Sequence, residues 1–322
     1  MKYVVMDLEW NQNPNERVRP NPMLPFEIIE IGAVMLDEDR KQIGTFHRLI
    51  KPSVYHWIQD SVHQVIHLNY RDLRKGVPFP QAAEEFMNWC GEDYLFCTWA
   101  KQDLTELQRN MKYYYLLDLL KGPVVYMDVQ KLYSFSFEDG KERRSLEAAI
   151  EQLAIPKDHG FHRALSDAHY TAMVFQKIGE EYLKGYESID VFQNPKDKRA
   201  EFRFSSGGQE RLISREFSNR DRVFSDPEVK DIHCPVCGGR TLPVLPEAGG
   251  TRNSPRWFIN SGKTYLGISL CPEHGYVAGR IRVRHTESDK YFAVKTLRIA
   301  EEEEALDLMS RQEQWKEKRG KS

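Results

Sequence analysis

Asp7 and Glu9 flank Leu8 at the end of a short apolar, β-branched run, Tyr3–Glu9. Side chains alternate along a strand, so the two carboxylates share one face while Leu8 points into the opposite layer. Two like charges ~4 Å apart repel by about 4 kcal/mol at an effective dielectric of 20. A strand end that keeps them together calls for a cation or a raised pKa. Hard oxygen donors suit Mg²⁺ or Mn²⁺ better than Zn²⁺. The plainer alternative is a pair of solvated acids. Asp103 follows a second strand-like run, Tyr94–Thr98, as either another ligand or a helix N-cap. Farther on stands His162-Arg163-Ala164-Leu165-Ser166-Asp167. Residues five apart lie about 140° apart on a helix. His162 therefore sits before the helix and folds back over Asp167. A neutral imidazole there is suited to taking a proton from water. His159 and His169 are nearby but outside this spacing.

A second constellation lies late in the chain. Cys234-Pro235-Val236-Cys237 is answered by Cys271-Pro272-Glu273-His274, and a glycine follows each pair. Three thiolates and one imidazole make a closed tetrahedral site for one structural Zn²⁺. Cys90 and Cys97 have no such spacing and read as core residues. Arg280, Arg282 and Arg284 alternate with Ile281 and Val283, which places the three arginines on one strand face. They read as a stripe for a nucleic-acid backbone or, more plainly, as a solvated face. Tyr265, Tyr276 and Tyr291 are available for stacking or for the core.

The elements that position these residues begin with alternating strands and helices. Strands are expected at Ile28–Leu36, Thr45–Ile50, Tyr94–Thr98 and Val124–Val129. Helices are expected at Pro80–Cys90, Asp103–Met111, Ser145–Ala154 with Ser145 as its cap, and Ala164–Leu183. That alternation implies an α/β layer fold. Beyond residue 187 the texture changes. Residues 188–230 read as a linker, with Asn194-Pro195, Ser205-Ser206-Gly207-Gly208 and Asp226-Pro227 as loop signals. Residues 231–300 read as a small β-rich domain around the cysteines, and 301–322 as a charged tail, solvated or disordered.

An Asp-x-Glu strand, a later Asp and a His-x4-Asp helix together resemble the DnaQ-like exonucleases with a catalytic histidine. Glu27–Val34 (EIIEIGAV) and His162–Ala168 (HRALSDA) extend the resemblance over roughly residues 1–185. Trp99-Ala100-Lys101-Gln102-Asp103 and Leu146-Glu147-Ala148-Ala149 are similar to the histone-mRNA and siRNA-trimming branch, which includes KapD-like proteins. The resemblance implies an RNase H-like mixed five-stranded sheet flanked by helices, and the later segment resembles a zinc ribbon. It also implies two-metal hydrolysis of single-stranded RNA or DNA from a 3′ end. Asp7, Glu9, Asp103 and Asp167 would hold two Mg²⁺ (or Mn²⁺), and His162 would deprotonate the attacking water. Leu8, Trp10 and Trp99 are candidates for packing the terminal sugar or base. His63–Asn69 departs from the branch's usual loop, so base contacts there do not carry over. A catalytically silent binding protein is the alternative; the intact acids and histidine speak against it.

Composition agrees with this organisation. The chain has 322 residues, 40% hydrophobic and 29% charged, enough for about two domains with buried cores. Five cysteines exclude a disulfide-dense secreted scaffold. No apolar run approaches the ~20 residues of a membrane span. Only Tyr3–Met6 is apolar before the first acid, so no export signal is expected and the protein reads as cytoplasmic. The net charge of −2 conceals an asymmetry: residues 1–187 carry 22 basic against 28 acidic side chains, and 188–300 carry 19 against 13. An acidic half and a basic half hint at a nucleic-acid partner or, more plainly on charge alone, are ordinary fluctuation. Nothing in the pattern sets an oligomeric state.

Overall fold

The run predicted as the first strand extends over Lys2–Gln12 (β1) and lies at the centre of a sheet. The computed structural model describes residues 1–13, 19–58, 70–158, 160–244 and 257–320. The chain divides into two units, Met1–Phe192 and Gln193–Ser322.

In the first unit β1 is joined by β2 (Phe26–Leu36), β3 (Gln42–Leu49), β4 (Tyr94–Thr98), β5 (Val124–Asp128) and β6 (Ser188–Asp190), in the order β3-β2-β1-β4-β5-β6. β4 runs parallel to β1 and to β5; the β1/β2, β2/β3 and β5/β6 pairs are antiparallel. Alternation along β1 supplies two cores. Val4, Met6 and Leu8 pack with Ala82, Phe86, Leu104 and Leu107 of α2 (Phe79–Cys90) and α3 (Gln102–Tyr113), which follow the short α1 (Tyr70–Leu73). Tyr3 and Val5 face the other way, toward α4 (Val129–Phe137), α5 (Leu146–Gln152) and α6 (Ala164–Lys177), through Leu132, Ile150, Val174 and Phe175. Each such buried side chain contributes roughly 1.5–3 kcal/mol. This is the RNase H-like arrangement, with one strand beyond the expected five: β6, three residues long, pairs with β5 at the edge.

Two local readings change. The last helix of the unit ends at Lys177, because Ile178 is already extended and Gly179 follows it. Helix α4 was not expected; Asp128 caps it, accepting from the Lys131 amide at 3.0 Å. Ser145 does cap α5, accepting from the Ala148 amide at 3.2 Å. The 63–69 segment and His159 lie outside the described residues.

The second unit is a six-stranded antiparallel sheet in the order β7-β8-β12-β11-β10-β9. Its strands are β7 (Phe202–Ser206), β8 (Gln209–Ile213), β9 (Trp257–Ser261), β10 (Thr264–Cys271), β11 (Gly275–His285) and β12 (Tyr291–Ile299). Residues 188–230 are therefore no linker: they supply β6, the β7–β8 hairpin and two short helices, α7 (Arg220–Ser225) and α8 (Pro227–Lys230). The hairpin turns at Gly207 and Gly208, whose φ values of 55° and 71° suit a two-residue turn that matches strand twist. One sheet face buries Leu212, Ile281, Val283, Ala293 and Leu297 with Val223, Val229 and Cys234. The tail forms α9 (Glu302–Gly320), and its Ala305 and Leu308 cover Phe258, Ile268 and Ala278 on the other face. No helix among the described residues is long and apolar enough to cross a membrane.

Candidate active site

Asp7 and Glu9 project from β1 on the α6 side, where register sets Asp7 opposite Gly32 and Glu9 opposite Glu30 of β2. Gly32 explains how a third acid reaches them. A Cβ there would meet the Leu165 amide nitrogen at 2.1 Å and the Ala164 carbonyl carbon at 2.2 Å. The bare glycine lets the first turn of α6 lie directly on the sheet and brings Asp167 over Asp7. One ligand oxygen from each of Asp7, Glu9 and Asp167 lies within 4.8 Å of the others.

His162 precedes α6 in the left-handed region, at φ 62°. Its backbone amide donates to Asp167 Oδ2 at 3.1 Å, which ties the loop back over the acid as the spacing requires. Its side chain is exposed. Asp103 lies in the first turn of α3, with Lys101 at the cap position. Asp103 Oδ1 accepts the Leu8 amide at 3.2 Å, so it borders the group without joining the tight cluster of three.

The electrostatics are those of buried acids held together, only partly offset by Arg163 at Glu9 and by His162 at Asp167. Burial, then repulsion from Asp103, Glu9 and Asp167, raises Asp7 well above the usual carboxylate range. Burial and the neighbouring acids Asp167, Glu30 and Asp103 push Glu9 to about 8. Asp103 is raised to about 7, burial and Asp167 outweighing the Leu8 amide. Asp167 is raised to about 6, chiefly by burial. Its Oδ1 is buried with no hydrogen-bond partner. Converging hard oxygens, raised pKa values and an orphaned buried carboxylate oxygen fit a divalent cation of the Mg²⁺ or Mn²⁺ type.

A neighbouring carboxylate is already neutralised. The side chain of Glu30 is fully buried and accepts two bonds from Arg163 Nε, at 3.2 and 3.1 Å, one from Arg163 Nη2 at 2.9 Å, and a contact from His47 Nε2 at 2.6 Å. Arg163 directly follows His162, so this fork anchors the loop that carries the histidine. Sequence reasoning missed Gly32, Glu30 and Arg163 as parts of the site, although all three lie within the EIIEIGAV and HRALSDA segments.

The remaining expectations divide. Leu8 is corrected: its side chain is 3% exposed within the core, and its amide is the part that serves the site. Trp10 is half-buried against Phe26, with ring centroids 5.9 Å apart. Trp99 packs on Tyr133 at 5.8 Å and donates from Nε1 to the Arg144 carbonyl at 3.2 Å. Cys90 and Cys97 are buried. Tyr265, Tyr276 and Tyr291 all pack against the cores of the second unit.

Cys234, Cys237, Cys271 and His274 also converge. Cys234 Sγ and Cys271 Sγ lie 3.6 and 3.7 Å from His274 Nδ1, and Cys237 Sγ lies 3.8 Å from Cys271 Sγ. A tetrahedron of thiolates about 2.3 Å from a zinc ion has edges of about 3.8 Å, so these separations are compatible with zinc. The knuckle turn is closed by the Gly238 amide on the Cys234 carbonyl at 2.9 Å, with Gly238 at φ 70°. Arg280, Arg282 and Arg284 are exposed on one face of β11, while Ile281 and Val283 are buried on the other.

A family model described as an exonuclease, of the RNase T type, matches residues 4–175. No curated protein matches the chain. Among solved structures, the chain is similar to cell-death related nuclease 4, at 18% identity over 55% of this chain and 62% of that one, with a TM-score of 0.45. It is also similar to the nuclease domain of 3′hExo, a DEDDh family member bound to rAMP, at 18% identity over 55% and 90%, with a TM-score of 0.47. E. coli exonuclease I in complex with a dA16 oligonucleotide matches at 14% identity over 54% and 40%, with a TM-score of 0.42.

Proposed function

This chain belongs to the RNase T type exonuclease family, and from that premise we propose that it is a metal-dependent 3′→5′ exonuclease. Its substrate on this reading is single-stranded nucleic acid, RNA favoured over DNA, and its products are nucleoside 5′-monophosphates. The observation that carries the proposal is the convergence of Asp7, Glu9 and Asp167 within 4.8 Å. The preference for RNA rests on the likeness of Trp99–Asp103 and Leu146–Ala149 to the trimming branch.

Two divalent cations, when bound, supply the positive charge that stabilises the entering and leaving oxygens of a phosphodiester. Asp7 would hold both, Glu9 and Asp167 one, and Asp103 the other. His162, exposed on its loop, takes the proton of the attacking water. Water oxygen bonds to phosphorus, the bond to the 3′ oxygen of the preceding nucleotide breaks, and that oxygen is reprotonated from solvent. Trp10 and Trp99, each half-buried, offer the apolar edge for the terminal sugar or base. In the second unit, Cys234, Cys237, Cys271 and His274 would hold one structural Zn²⁺.

The test uses 5′-labelled single-stranded RNA and DNA with Mg²⁺. Ladders shortened from the 3′ end are expected, and they vanish with EDTA or with Asp167→Asn. Undiminished cleavage by Asp167→Asn protein removes the mechanism, and cuts within a circular substrate replace it with an endonuclease.

A further inference from the structure

One face of the second sheet is split into two unlike halves. Cross-strand pairing sets Phe204, Arg211, Thr296, Arg280, Leu266 and Phe258 in a single row across all six strands. On the β9–β10 side the row is apolar, and α9 covers it: Phe258 is buried, and Leu266 packs against the cluster that Ala305 and Leu308 complete. On the β7–β12 side the composition changes. Arg282 lies two residues along from Arg280 on the same face, Arg298 sits diagonally across, and Phe202 neighbours Phe204. Phe202, Phe204, Arg211, Thr296 and Arg298 are half-exposed; Arg280 and Arg282 are exposed. The two phenylalanines belong to none of the core clusters that hold the unit together.

The charges on this half are unbalanced. Arg298 is paired with Glu304, at the border with α9. Among the described residues, Arg280 and Arg282 have no carboxylate partner. Among the described residues, the charges that act on Arg280, those of Arg282, Arg298 and Arg211, all have its own sign. Guanidinium groups held side by side with no internal anion are arranged for an external one, and the planar fork matches phosphate oxygens. Residues two apart on a strand stand ~6.7 Å apart, and alternate strands ~9.6 Å apart, which spreads the charge along a line and not around a single ion. Aromatic rings at the same level offer stacking for bases, the combination found where unpaired strands lie on a sheet.

We propose that the face formed by Phe202, Phe204, Arg211, Arg280, Arg282 and Arg298 is a docking surface for a single strand of nucleic acid. Arginines take the phosphates and Phe204 stacks on a base. Arg284, opposite Phe292 at the far end of β11, is outside the surface. The surface relies on the nuclease reading for the kind of strand, and on its own charge for binding. It draws on β7 and β8, which the sequence pattern alone assigns to a linker.

The experiment uses the full chain with no added Mg²⁺ or Mn²⁺ and with no chelator, so that cleavage is halted and the group of three cysteines and one histidine keeps its metal. Anisotropy of fluorescent 20-nucleotide RNA and DNA is followed against salt for the natural protein, Arg280→Ala/Arg282→Ala, and Phe204→Ala. The double variant is expected to bind at least tenfold more weakly, with its salt slope smaller by about 0.7 for each phosphate it no longer neutralises. Phe204→Ala should weaken binding about tenfold and leave the slope unchanged. Hydrolysis of a dinucleotide with Mg²⁺, which has no further nucleotides to occupy a second site, should be the same in all three. Equal affinities and slopes overturn the surface and leave the exonuclease untouched. Displacement of the strand by polyglutamate as readily as by unlabelled oligonucleotide also overturns it, in favour of a general polyanion or protein contact. A failure of dinucleotide and oligonucleotide hydrolysis alongside intact binding sinks the proposed function and spares the surface. Circular dichroism and zinc content serve as the check on folding.

Discussion

Replacing Gly32 by alanine adds one methyl group at the point where the helix carrying Asp167 touches the strand opposite Asp7. The added carbon would lie 2.1 Å from the Leu165 amide nitrogen, where ordinary contact begins at 3.4 Å, so β2 and α6 must separate by about 1.3 Å. The three nearest obstructing atoms, Leu165 N and Ala164 C and O, are all backbone, so no side-chain rotation relieves the clash. Leu165 is two residues from Asp167, so the carboxylate moves with it. A misplacement of ~1 Å at reacting groups can lower a rate ~10²-fold. Overpacking also destabilises by roughly 1–3 kcal/mol. The assay is the rate of shortening of a 5′-labelled single strand from its 3′ end, measured while Mg²⁺ is titrated. Gly32→Ala is expected to need several-fold more Mg²⁺ for half-maximal activity and to reach a rate ~10²-fold lower. Gly44→Ala is the control, because its added carbon meets nothing closer than Trp89 Cζ2 at 3.6 Å; it should behave as the natural protein does. Activity and Mg²⁺ dependence in Gly32→Ala within threefold of the control would refute the view that this close approach assembles the site.

Other expected outcomes concern charge and metal. The raised carboxylates bind protons in the folded state that the unfolded chain has released, so metal-free protein loses stability as pH rises through about 6, 7 and 8 for Asp167, Asp103 and Glu9. Mg²⁺ should therefore raise Tm more at pH 8.5 than at pH 5.5, and equal shifts at both would contradict the shared-cation reading. Arg163→Gln leaves Glu30 as a buried, poorly paired charge and should destabilise by ~3 kcal/mol in urea unfolding. Adding Glu30→Gln should recover part of that loss, and strict additivity would argue against the fork. Cys234→Ser should remove about one zinc per chain in metal analysis and lower the Tm of the second unit; retained zinc would point to other ligands.

Much of the site was legible because its chemistry is local. Asp7 and Glu9 share a face by strand alternation alone, and five residues of separation already require His162 to leave the helix before Asp167. The parts that escaped depend on pairing. Gly32 matters only because register sets it against Asp7 and beneath Ala164, and no local pattern states that. Glu30 gains its meaning from an arginine 133 residues away. The β7–β8 hairpin did carry a signal, since Gly207 and Gly208 stand between alternating runs. The density of polar residues obscured it, because one of its faces is not a core face. Alternation did place Arg280, Arg282 and Arg284 together, but the sheet alone shows which neighbours they keep.

The strand order of the second unit also bears on how it is made. β8 pairs with β12, so Arg211 meets Thr296, 85 residues later. During synthesis the β7–β8 hairpin emerges first and has no strand beside β8 until nearly the whole unit has followed it. The two cysteine knuckles and the β10–β11 hairpin are complete by then, and each closes over a shorter span. A nascent chain would thus carry a closed pair of cysteine knuckles and an orphan hairpin at once, with β12 as the strand that joins them. A chain that stops between residues 285 and 291 would lack β12 and leave β8 and β11 as bare edges, the condition in which strands pair with other copies of themselves.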